Sequence, residues 1–316
     1  MATPEAPLRE ILKSISFTRF PLRAIEPFFV ADKLEKPKLL CYPPLLQAPT
    51  DLGSTVPKLP TFDLKSLYVL TALRFIGYDF DVGYTSEPDA SPDKVLPFLL
   101  LCDGTVLTYK GIMGKLKGVP GSSTENRADD KNSSDGALDQ LCLPESDLPS
   151  ELVYRTMAER NFLPAVEYMS WADPVGRECI GEERYLGNYP TVIRYVLSWI
   201  KTSEATQNLK MAQPEHSAGA SMLLDGETLY ENAFRALDSL LVLFEDVGNT
   251  RIFLAGKPSL LDALVFSCIS VVLDAPVDSP LRKALIQKNT YRPVLDYALQ
   301  LRKKYFSQPA NQLGSA

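Results

Sequence analysis

Few residues of this 316-residue chain have a type and spacing that could do chemistry. The single histidine, His216, lies in a polar, loop-like stretch, so a catalytic imidazole, a multi-histidine metal site or a haem pocket would all rest on it. A solvated loop residue is the simpler reading. The five cysteines are Cys41, Cys102, Cys142, Cys179 and Cys268. They form no C-x-x-C pair and are odd in number, which fits free thiols in a reducing compartment better than a disulfide framework. The acid pairs Glu182-Glu183 and Asp129-Asp130 lie in polar stretches and read as solvated charges. Arg302-Lys303-Lys304 reads as the solvated face of a terminal helix, with a basic contact patch as the alternative. There is no G-x-G-x-x-G, no phosphate loop and no zinc-ligand spacing, so no cofactor, metal or catalytic residue is expected.

The bulk numbers agree. Hydrophobic residues make up 45% and charged residues 23%, which is ordinary for a soluble globular chain. A formal net charge of −6 makes nucleic acid an improbable main partner. The most apolar stretch, 260–273, is interrupted by Asp262 and falls short of the roughly 20 residues a membrane span needs. The N-terminus lacks the basic start and uncharged apolar run of a secretory signal. Work at a membrane would therefore depend on a partner or on lying at the surface.

The elements around these residues follow from pattern. Residues 1–37 are a proline-rich extension in which Leu8, Ile11, Leu12 and Ile15 suggest a short amphipathic helix. KLLCY (38–42) reads as a buried strand, 61–80 as a helix closed by Gly77, and 79–85 as a second strand. Residues 94–109 read as a hairpin around Asp103-Gly104, followed by a short helix from Gly111. The order is that of a thioredoxin-like domain, 38–117. Pro97 cannot donate to a sheet ladder, so it needs an edge or a special geometry. Residues 118–147 are polar and rich in Gly, Ser and Asp and read as a flexible linker. Helical pattern fills 148–306, with Ser150 as a candidate cap, a helix over 188–201, a flexible loop over 202–221 and another helix over 226–249. Residues 307–316 read as a frayed tail. Ser259 and Asp262 have capping-box spacing at the head of an all-apolar helix, which marks a buried core helix.

A capped, buried helix after the FLAG turn (253–256) resembles the pivotal helix of glutathione-transferase-like proteins. That likeness implies a cis Leu96-Pro97 bond before the third strand. It also implies a thiol-activating Tyr, Ser or Cys at the start of the first helix, and an acidic or amide residue followed by Ser after the hairpin. Here the junction is a proline-rich loop holding Ser54 and Thr55, and Tyr109-Lys110 stands after the hairpin. The scaffold is legible and the glutathione site is not.

Several strings then resemble one family, the metaxins: KVLPFLLLCDGTVLT (94–108), AVEYMSWAD (165–173), GEERYLGNYP (181–190), LDALVF (261–266) and LRKKYF (301–306). The resemblance implies a non-enzymatic subunit of the mitochondrial outer-membrane sorting and assembly machinery, close to the fungal peripheral, cytosol-facing metaxin-like subunit. The implied partners are a membrane-embedded β-barrel assembly subunit, a sister metaxin-like subunit with a membrane anchor, and β-barrel precursors whose C-terminal strand is the signal. The missing C-terminal anchor leads us to expect the peripheral subunit. No residue can be assigned to precursor binding. The alternatives are a glutathione-transferase-like enzyme and a cytosolic assembly scaffold.

Overall fold

The computed structural model describes residues 34–45, 56–117, 149–212, 225–247 and 258–307. The Leu8–Ile15 pattern, Ser54, Thr55, the 118–147 linker, His216 and the FLAG turn lie outside the described residues, as does the tail beyond residue 307.

The first half is a four-stranded mixed sheet in the order β2-β1-β3-β4. The strands are β1 (Lys38–Cys41), β2 (Asp81–Tyr84), β3 (Phe98–Leu100) and β4 (Val106–Leu107). β1 runs parallel to β2, with Leu39 beside Val82, and antiparallel to β3, with Leu39 beside Leu99. β3 and β4 form the expected hairpin. Gly104 takes φ +85° in its turn, a region that residues with a Cβ rarely enter. The Asp103 carboxylate accepts from the Thr105 amide at 2.8 Å.

Helix α1 (Leu64–Phe75) joins β1 to β2, and α2 (Tyr109–Leu116) follows β4. α2 starts two residues earlier than the sequence suggests, because Thr108 caps it through the Gly111 amide at 3.4 Å. Between β2 and β3 the chain makes only a 3-10 turn, Pro88–Ala90. The Leu96-Pro97 peptide bond is cis.

The second half is helical: α3 (Pro149–Met157), α4 (Leu163–Trp171), α5 (Thr191–Ala212), α6 (Gly226–Val247), α7 (Leu260–Leu273), α8 (Pro280–Gln287) and α9 (Arg292–Phe306). Ser150 lies inside α3, which already begins at Pro149, so it is not the cap. Helical winding widens to i→i+5 over Ala158–Phe162 and again over Arg177–Tyr185. The first widening runs into Pro164, which has no amide hydrogen for the α-helical ladder. The 202–221 loop is corrected in part: α5 continues to Ala212, carried by Ala205 and Leu209, four residues apart and at most 4% exposed.

α7 is the centre of the molecule. All fourteen of its residues are buried, and it packs against α1, α3, α4 and α9. Its Ser259 hydroxyl accepts from the Asp262 amide at 3.2 Å, and the Asp262 carboxylate accepts from the Ser259 amide at 3.1 Å. That closes the capping box and satisfies two amides that a buried helix end would otherwise strand. The fold is glutathione-transferase-like, a thioredoxin-like sheet domain followed by a helical domain.

Candidate functional site

The position where the sequence resemblance leads us to expect a thiol activator is where β1 ends, α1 begins and the helical domain closes over both. The α1 N-terminus offers unpaired amides and the positive end of a helix dipole. Asp63 takes that position. Its Oδ2 accepts from the Ser66 amide at 2.8 Å and from the Ser66 hydroxyl at 2.7 Å. Its Oδ1 accepts from the Tyr185 hydroxyl at 2.8 Å, so a side chain of the helical domain completes the cap. Ser66 spends its hydroxyl on this cap.

Four rings fill the space around the Asp63–Tyr185 bond. Tyr42 directly follows β1 and Phe62 precedes α1, while Trp171 and Tyr185 come from the helical half. Tyr185 stands edge-on to Tyr42 and to Phe62, with centroids 4.9 and 4.8 Å away, and lies 5.1 Å from Trp171. Such tilted pairs suit the ring quadrupoles and add to plain burial. Burial pushes the Tyr185 phenol well above its ordinary pKa, and the Asp63 charge pushes it further. Tyr42 is raised by the same two causes, burial first. Both phenols therefore stay neutral, Tyr185 as a rigid donor to Asp63 and Tyr42 as a packing group.

After the hairpin, Tyr109 sits in the first turn of α2 with its phenol raised by burial. The Lys65 ammonium lies 5.9 Å from its ring centroid, and Lys110 is exposed. Leu96, beside the cis bond, is 3% exposed and packs inward. Thus Leu96 and Pro97 sit at the edge of the junction, while Ser259 and Asp262 sit in the core at the head of α7. The structure does not bring these two pairs into one site. Among the described residues no group of His, Cys, Asp and Glu could hold a metal ion, and no helix is long and apolar enough to cross a membrane.

A second polar cluster departs from the sequence expectation. Asp274 ends α7 and is buried, and so is Arg302. The expectation of a solvated Arg302 is wrong: its Nη1 lies 3.3 Å from Asp274 Oδ1, and its Nε donates to the Pro57 carbonyl at 2.5 Å. Arg184 donates to the Asp274 carbonyl at 2.6 Å, and Arg282 to the Ala275 carbonyl at 2.7 Å. Burial raises the Asp274 pKa, and Arg302, Arg184 and Arg282 pull against it. A cavity of about 10 Å³, room for about one water, lies beside Asp274 and Arg302. The cluster ties the loop before α1 to the two helices α7 and α9. Glu182 is likewise half-buried rather than solvated, because it accepts from the Ser198 hydroxyl at 2.7 Å.

Two surface features complete the picture. Val192, Tyr195 and Trp199 follow i, i+3, i+7 spacing on α5 and are 77%, 73% and 51% exposed. A groove of about 430 Å³ runs along α6, floored by Tyr168, Tyr230 and Phe234.

Comparison with known proteins bears on what this scaffold is used for. No family model matches the chain. It is 28% identical to Metaxin-1 of Mus musculus over 221 residues, 70% of this chain and 64% of the mouse protein. It is 27% identical to Metaxin-1 of Homo sapiens over 222 residues, 70% of this chain and 43% of that protein. A Metaxin-1 homolog of Caenorhabditis briggsae is 26% identical over 235 residues, 72% of this chain and 64% of that protein. The chain is similar to metaxins. The matched segment spans less than two thirds of these relatives. Among solved structures, apo glutathione S-transferase III is 14% identical with a TM-score of 0.43, covering 87% of this chain and 98% of that one. A Sphingobium beta-etherase is 16% identical with a TM-score of 0.45, covering 87% of this chain and all of that one, 100%. The fold stands on strand order and register rather than on these distant likenesses.

Proposed function

We propose that this chain is a non-enzymatic, metaxin-like subunit of the mitochondrial outer-membrane sorting and assembly machinery. It lies peripherally on the cytosolic face, supports a membrane-embedded barrel-inserting subunit beside a sister metaxin-like subunit, and helps receive β-barrel precursors. The observation that carries this reading is the similarity to metaxins over 70% of the chain. The junction chemistry supports it: Asp63, its three donors and four packed rings occupy the region where a transferase would activate a thiol.

The test is affinity purification of the tagged full-length chain from mitochondrial outer membrane. A β-barrel protein and a second metaxin-like chain should copurify, and alkaline carbonate should release the tagged chain. Copurification with cytosolic assemblies alone would favour the cytosolic scaffold. Saturable conjugation of glutathione to a standard electrophile by pure protein would favour the transferase, the reading that the fold alone suggests.

A further inference from the structure

We infer that the open edge of β2 is a docking strand for an extended, amphipathic peptide. This rests on the proposed role in receiving barrel precursors and assigns that role to one surface. Among the described residues β2 has a single sheet neighbour, β1. The Asp81 amide donates to the Pro37 carbonyl at 2.9 Å and the Thr85 amide to the Cys41 carbonyl at 3.0 Å. Main-chain groups of a strand alternate in direction, so Asp81, Gly83 and Thr85 face β1 while Val82 and Tyr84 face outward. Among the described residues no turn, loop or cap hydrogen bond uses the main chain of Val82 or Tyr84. An edge with outward donors and acceptors is a template for another strand.

The side chains say which strand would fit. On one face Phe80 and Val82 pack on the core and Tyr84 follows them outward, 37% exposed, making an apolar row at the rim. On the other face Asp81 is exposed and Gly83 has no side chain. The Lys38 side chain covers Gly83, where an added Cβ would lie 2.6 Å from Lys38 Cε. An incoming strand with apolar residues at alternate positions would extend the Val82–Tyr84 row and turn small or basic residues toward Asp81. β4, the other edge, has only two residues and leads into α2. The α6 groove is the competing surface, but Glu231 is engaged by Arg235 at 3.5 Å, and Lys288 lies 5.1 Å from the Phe234 ring.

The experiment titrates the full-length chain with a synthetic peptide of about ten residues carrying the last strand of a mitochondrial outer-membrane barrel. Proline on a strand edge is tolerated where its missing amide would face solvent. Val82→Pro and Tyr84→Pro should therefore keep the β1 ladder but weaken binding by about tenfold or more, Tyr84→Pro with its thermal midpoint unchanged and Val82→Pro melting lower because Val82 packs on the core. A peptide N-methylated at alternate amides should bind as weakly in one of its two registers, and this control leaves the protein unaltered. Tyr84→Phe should bind as the parent does. Undiminished binding by both proline variants and both N-methylated peptides would overturn the edge while leaving the receptor role standing. Loss on Tyr230→Ala instead would move the site to the groove. No binding by the unaltered chain would overturn both readings.

Discussion

Tyr297 of α9 gives its hydroxyl to Asp262, 2.6 Å away, so the last helix of the fold closes the cap of its central one. The carboxylate also accepts from the Ser259 amide and hydroxyl, at 3.1 and 2.7 Å, in a fully buried position. Ser259→Ala should lower unfolding free energy by about 1 kcal/mol. Tyr297→Phe should cost about 1–3 kcal/mol, because it removes the donor to a buried charge. Asp262→Leu should cost more than either. Urea denaturation of the three variants checks the ranking, and equal midpoints would refute it.

The Arg302–Asp274 pair yields a different signature. Truncating one member of a buried pair leaves the other uncompensated, so Arg302→Met should destabilise by about 3–5 kcal/mol. Because Asp274 also faces Arg184 and Arg282, Asp274→Leu should be at least as costly, leaving guanidiniums without their carboxylate. The double variant should cost clearly less than the sum of the two. A double-mutant cycle measures that coupling.

Glu167 should set a pH dependence. Burial raises its carboxyl above the ordinary 4.5, with Lys65 pulling weakly the other way. A raised acid favours the protonated fold. The stability it contributes is complete below about 4.5 and is lost as pH rises through the higher folded pKa. Glu167→Gln should therefore melt higher than the parent at neutral pH and level with it in acid. Calorimetry across that window decides the matter, and a constant offset would count against the burial argument.

The thiols should separate by accessibility. Cys41 and Cys268 are buried with raised pKa values, whereas Cys102 is exposed. A maleimide reagent on native protein should label Cys102 rapidly and reach Cys41 and Cys268 only after denaturation. Mass spectrometry of timed digests reads this directly.

What the sequence made legible follows from the range of each interaction. The capping box at Ser259 and Asp262 and the Asp-Gly hairpin are local, and their residue types state their geometry. The end of α5 was legible but overlooked, since Ala205 and Leu209 continue a helical stripe through a polar segment. Arg302 carried a similar signal: Val294, Ala298 and Leu301 define the buried face of α9, and Arg302 lies on it. The Tyr185–Asp63 bond was not legible. Its partners are 122 residues apart, and nothing in either neighbourhood names the other. Asp63 alone shows a capping signal, but which side chain completes the cap is decided by how two domains meet.

The contact of α1 with α9 has a consequence for biosynthesis. The Arg74 guanidinium lies 4.4 Å from the Phe306 ring centroid and donates to the Tyr305 carbonyl, and Phe75 packs on Tyr305 at 4.9 Å. A ribosome delivers α1 first and its covering residues 231 positions later. At typical elongation speeds that delay is roughly 10–50 s. For most of it α1 lacks its main helical neighbour, since α7 is made only shortly before α9, and the contacts of Arg74 and Phe75 close last. A nascent chain of this protein is thus a natural client for holding chaperones, and a truncation in α9 should be felt at the Arg74–Phe75 end of α1.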